Sequence, residues 1–139
     1  MNHSASAYVL ELEHKTLWVQ AIGVWTTRDI QAYIRDFRAI VQPIMQSPWA
    51  LVLDARQWQT SPKEIFAGVT DNSIWCVQHQ LAHVVALLPA NHVTGWQFLK
   101  ATAIDMPENL VRQRVDTPEQ ARQNLVVAGY LQSEHVSAV

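Results

Sequence analysis

A chain of 139 residues, 49% hydrophobic and 16% charged, has the size and apolar content of one ordinary globular domain and is too apolar for a disordered segment. Its formal net charge of −2 leaves no positive excess for a nucleic-acid partner, and no apolar run approaches the roughly 18 to 20 residues that a membrane-spanning helix needs. One cysteine, Cys76, excludes an internal disulfide and a cysteine-built zinc site; together with an opening segment that lacks an export signal, this points to the cytoplasm.

Residues 1–6 read as a polar tail. Residues 7–14 become alternating in character and Thr16 to Trp25 is rich in β-branched and aromatic residues, so the two stretches predict a hairpin turning around Lys15. Thr26 followed by Asp29 forms an approximate capping box. From Thr27 to Met45 the apolar residues Ile30, Tyr33, Ile34, Phe37, Ile40, Val41 and Ile44 recur at helical spacing, and Pro43 ends the regular part. The run Trp49–Asp54 is continuously apolar up to its final acid, the pattern of a strand buried on both faces.

Ser61-Pro62-Lys63-Glu64 combines a capping hydroxyl, a first-turn proline and a glutamate, which predicts a helix running to about Gln80. Gly68, Thr70, Asn72 and Ser73 are poor helix formers, so a break or bend is expected near residues 70–73. His83–Leu88 predicts a second buried strand, and the stretch from Val93 or Thr94 to Ile104 a third helix, bounded by Pro107. Leu110–Val115 alternates like an edge strand. Thr117-Pro118-Glu119-Gln120 opens a last helix closed by Gly129, and residues 132–139 read as a second tail. The order ββαβαβαβα predicts an α/β domain over residues 7–131, with a mixed, mostly parallel five-stranded sheet, four helices and right-handed crossovers.

This order, with Leu51–Asp54 followed by a short loop and a helix starting at Thr60-Ser61-Pro62, resembles the STAS fold of bacterial anti-sigma factor antagonists, and its SpoIIAA-like branch most. The likeness spans about residues 7–131 and includes the Asp116–Ala121 helix start. In the antagonists, a serine at the corresponding helix start is phosphorylated by a partner kinase. Here the matching place holds Gln59-Thr60-Ser61-Pro62, which keeps the hydroxyls and lacks both the preceding acid and the following glycine. Ser61 and Thr60 therefore have two readings: helix cap, or regulatory and ligand site at a helix amino terminus that favours anions.

Asp54, at the carboxyl end of a central strand, lies where open α/β sheets bind ligands, and an acid there also serves to fix a loop. Of the six tryptophans, Trp58, Trp75 and Trp96 are candidates for one apolar groove, with core packing as the alternative. His79, His83 and His92 lack secured metal-ligand spacing, so no metal and no cofactor is expected. Cys76, flanked by Trp75 and Val77 late in a helix, reads as buried. With no nucleophile elbow, phosphate loop or dinucleotide fingerprint, the chain reads as non-catalytic. The resemblance implies a regulatory or protein-interaction module with a protein partner. Its further likeness to the lipid-binding CRAL-TRIO architecture implies, alternatively, a carrier or sensor of a small apolar molecule or lipid. A homodimer through an exposed helix or the edge strand is also expected.

Overall fold

The computed structural model describes residues 2–59, 61–89 and 109–133. Strands β2 (Tyr8–Glu13) and β3 (Thr16–Gly23) form the expected antiparallel hairpin, with Glu13 opposite Thr16 and His14 at positive φ in the turn. Part of the expected polar tail adds a strand, β1 (Asn2–Ser4), antiparallel to β2. Among the described residues the sheet therefore has six strands rather than five, in the order β1-β2-β3-β4-β5-β6. β4 (Trp49–Trp58), β5 (Leu81–Leu87) and β6 (Val111–Arg114) follow as parallel neighbours of β3, which gives the mixed α/β sheet its parallel half.

Helix α1 (Thr27–Ile40) starts at a complete capping box: the Asp29 N–H donates to Thr26 Oγ1 at 3.2 Å and the Thr26 N–H donates to Asp29 Oδ2 at 2.8 Å. It buries Ile30, Tyr33, Phe37 and Ile40 along one stripe. α1 ends at Ile40, just before the expected limit at Pro43, which sits in a short 3₁₀ turn, Gln42–Ile44. Helix α2 (Lys63–Gln78) runs through residues 70–73 without a break. The reason is local: Thr70 and Ser73 hydroxyls donate to the Phe66 and Val69 carbonyls at 2.9 and 3.0 Å, so these residues satisfy themselves within the helix. Helix α3 (Pro118–Ala128) has Thr117 as its N-cap and Gly129, at φ 93°, as its C-cap. The expected helix between Val93 and Ile104 lies outside the described residues, so three α-helices are described.

β4 is the spine. Trp49, Leu51 and Ala55 enter one apolar cluster with Phe37 of α1 and Ile65 and Cys76 of α2, while Ala50 and Val52 enter a second with Ala121 and Leu125 of α3. α1 and α2 thus cover one face and α3 the other. Arg122 of α3 anchors to β2 through a two-pronged ion pair with Glu13, at 2.8 and 2.7 Å, and lies over the Trp18 ring; that pairing holds the Glu13 carboxyl below its usual range.

The α1–α2 contact depends on Gly68. A Cβ there would stand 2.5 Å from Ile30 Cγ1, an atom near its own backbone with little room to yield. Gly68→Ala is expected to destabilise the fold by about 1–3 kcal/mol through overpacking, outweighing the roughly 1 kcal/mol gained in helix propensity. Urea denaturation of Gly68→Ala, Ile30→Ala and the double variant checks this. The double variant should lose less than the sum of the single losses, and strict additivity would disprove the contact as the cause.

Candidate functional site

Beneath α1 and α2 the parallel strands do not fill the space they enclose. A cavity of about 390 Å³ lies between the sheet and the two helices, within the range typical of small-molecule sites. Its floor is apolar, with Val19, Leu51 and Val84 from three successive strands. Trp25 and Trp58 wall one end, ring centroids 5.6 Å apart, because Trp58 closes β4 opposite Gly23 of β3 and Trp25 follows two residues on. Tyr33 of α1 and Asn72 and Cys76 of α2 face it from the helices. Charged lining comes from Asp54 and from Arg112 and Arg114 of β6.

The polar residues inside divide sharply. Asn72 is buried, and its Oδ1 accepts from Arg38 Nε at 3.1 Å. Tyr33 is buried, and burial, followed by the nearby Cys76 thiol, pushes its hydroxyl well above the ordinary tyrosine range. Cys76 is likewise pushed well above the usual thiol range by burial, so it stays protonated and is no nucleophile at neutral pH.

The expected site residues separate in this geometry. Trp58 lines the cavity and is buried. Trp75 does not line it; it stacks on His79 at 4.2 Å with Arg38 4.9 Å from its ring, beside α1. Thr60 and Trp96 lie outside the described residues. Asp54 lines the cavity wall, yet its carboxylate is gripped by Arg56, whose Nε and Nη2 donate at 2.9 and 2.7 Å. It is not at the strand end either: β4 continues to Trp58, paired with β3 alone beyond Asp54. Ser61 is no helix cap. α2 begins at Lys63 without a side-chain cap, and Ser61, buried, accepts from the Trp25 N–H at 3.1 Å and donates to the Gln59 carbonyl at 3.1 Å. It ties the α2 start to the chain after β3.

Trp25 and Tyr33 are site residues that periodicity did not separate from the core, since both sit in apolar runs. An asparagine on the buried side of α2, one turn before Cys76, was the available signal. The two histidines bond separately: His79 Nδ1 contacts the Trp75 carbonyl at 2.7 Å, and His83 Nε2 contacts Gln113 Oε1 at 2.9 Å. Among the described residues, no three His, Cys, Asp or Glu side chains gather as metal ligands, and no helix is long and apolar enough to cross a membrane. A second concavity, between β2 and α3, places Glu11, Glu13, Glu119 and Arg122 beside Trp18, Val126 and Val127.

No family model and no curated protein matches the sequence. Among solved structures, the chain is similar to an uncharacterized protein of the DUF3478 family with a SpoIIAA-like fold from Shewanella loihica PV-4. The TM-score is 0.64 at 11% identity, over 86% of this chain and 92% of that one. The fold is therefore SpoIIAA-like, the STAS-type α/β architecture that the order of elements implied.

Ser61→Ala should cost about 1–3 kcal/mol, because it leaves the Trp25 N–H buried without its acceptor. Thermal and urea unfolding measure this; an unchanged stability would mean that the hydroxyl serves something other than the loop.

Proposed function

We propose that this protein is a non-catalytic binding module that carries or senses a small apolar molecule held between α1, α2 and the sheet. The observation in its favour is the cavity itself: about 390 Å³, walled by Trp25, Trp58 and aliphatic strand residues that belong to the larger apolar cluster. A void of that size left unused would forfeit dispersion contacts and cost stability. Occupation by a ligand recovers them.

The protein-interaction reading has less support at the position that motivated it. Ser61 and Trp58, the residues meant to face a partner, are 5% and 3% exposed. A homodimer through β6 has an edge strand to use, but it would bring Arg112 and Arg114 of two copies close together.

Native mass spectrometry of the protein as purified, compared with the denatured mass of the same sample, tests the carrier reading. The expected result is a non-covalent mass that disappears on denaturation, and a fall in its occupancy when Ala86, on the cavity wall, is replaced by Phe. A saturating ligand at about a hundred times its Kd should also stabilise the fold by about 2.7 kcal/mol. A bare mass, with no thermal shift across a panel of fatty acids, phospholipids and apolar small molecules, would overturn the proposal.

A further inference from the structure

The cavity wall is apolar along most of its length and cationic at one end. Among the described residues, its charged members are Asp54, Arg112 and Arg114. Strand alternation fixes which way the two arginines face. In the parallel register Arg112 lies opposite Val84 and Arg114 opposite Ala86; Val84 belongs to the apolar cluster under α1 and α2, and Ala86 lines the cavity. Gln113, between the two arginines, goes the other way, accepting on its Oε1 from Asn124 Nδ2 of α3 at 3.2 Å. Both arginines therefore stand on the cavity side of β6.

Asp54 does not cancel them. Alternation along β4 sends its side chain the way of Val52, which packs with Ala121 and Leu125 of α3, and Arg56 already grips its carboxylate with two hydrogen bonds, at 2.9 and 2.7 Å. Arg114, by contrast, makes no hydrogen bond or ion pair among the described residues. The tryptophan end stands beside β3 and β4 and the arginines on β6, so the wall changes from aromatic to cationic over two to three inter-strand spacings, about 10–14 Å.

Such a wall matches an elongated molecule that is apolar along its length and anionic at one end. Both arginines are exposed, so the anionic group keeps part of its hydration there and avoids the penalty of a fully buried charge. A planar guanidinium suits a carboxylate or a phosphate, to which it can donate two parallel hydrogen bonds. A volume of about 390 Å³, near the lower end of the roughly 300–1,000 Å³ typical of small-molecule sites, suits one acyl chain rather than two.

We infer that the cavity takes a single-chain anionic amphiphile, its hydrocarbon lying along the apolar wall toward Trp25 and Trp58 and its oxyanion head at β6, held by Arg114 with Arg112 beside it. The inference rests on the carrier reading and names the class of ligand for that same cavity. The apolar wall supplies affinity for any chain of suitable length, and the arginines select the charged head.

Titration of decanoate, decyl phosphate, decanol and decyltrimethylammonium against the full chain, below their micelle-forming concentrations and followed by tryptophan fluorescence, tests this. An anionic probe should bind about tenfold more tightly than decanol, the low end for a hydrogen bond to a charged group because the head is open to water, and the cationic probe more weakly than either. The tighter of decanoate and decyl phosphate shows whether a fatty acid or a phosphorylated chain is the natural head. Arg114→Gln should reduce the preference for the anion to about twofold and Arg114→Lys should restore part of it; both variants should fold as the wild type does, since the side chain is exposed. The preference should also shrink at about 1 M salt, where screening acts within about 3 Å. Equal binding of decanol and both anions to the wild type would overturn the inference and leave the carrier reading standing. An anion preference that survives Arg114→Gln combined with Arg112→Gln would overturn it too, by placing the head elsewhere. Binding of no probe at all would overturn both.

Discussion

The architecture depends on one strand being buried on both faces. β4 has parallel neighbours on either side, β3 and β5, and alternate side chains in two separate apolar clusters. Parallel neighbours cannot be joined by tight turns, so each connection must cross over a face of the sheet, and the crossing segments become the helices that cover it. Trp49 shows how tightly this is tied together: it is fully buried at the start of β4, packs against Phe37 of α1, and donates its indole N–H to the His79 carbonyl at the end of α2. One side chain thus joins the sheet to α1 and α2.

Much of this was readable in the residues. The apolar run Trp49–Asp54 announced the doubly buried strand, the Thr26–Asp29 and Thr117–Gln120 pairs announced two helix starts, and Gly129 marked an end, because each signal acts over a few neighbouring residues. The misreadings share a different cause. Ser61 looks like a cap in sequence, and its hydroxyl is instead claimed by Trp25, 36 residues away. Asn72 looks like a helix breaker, and its side chain finds Arg38, 34 residues away. β1 carries no strand signal of its own and exists through pairing with β2. Tertiary partners decided each of these, and a linear reading has no access to them.

The candidate site followed the same division. Trp58 could be nominated because tryptophans near a strand's carboxyl end are conspicuous, but its companions were set by pairing. Trp25 meets it only because Gly23 lies opposite Trp58 in the parallel register. Trp75, equally conspicuous in sequence, turns away toward Arg38 and His79. Tyr33 belongs to the stripe of α1 that also holds Ile30 and Phe37, and it both packs in the core and lines the cavity. A hydrophobic stripe therefore supplies a cavity-lining residue that periodicity alone assigns to packing.

Gly68 sits outside the cavity wall, as does Ile30, yet their contact fixes how near α1 and α2 can come. Tyr33 lies one turn beyond Ile30, and Asn72 one turn beyond Gly68. The helix crossing therefore acts as a gauge for the chamber beside it. Width can be altered by a substitution that touches no bound molecule, so a lineage of such proteins could drift toward bulkier or slimmer cargo through this pair while the wall residues stay constant.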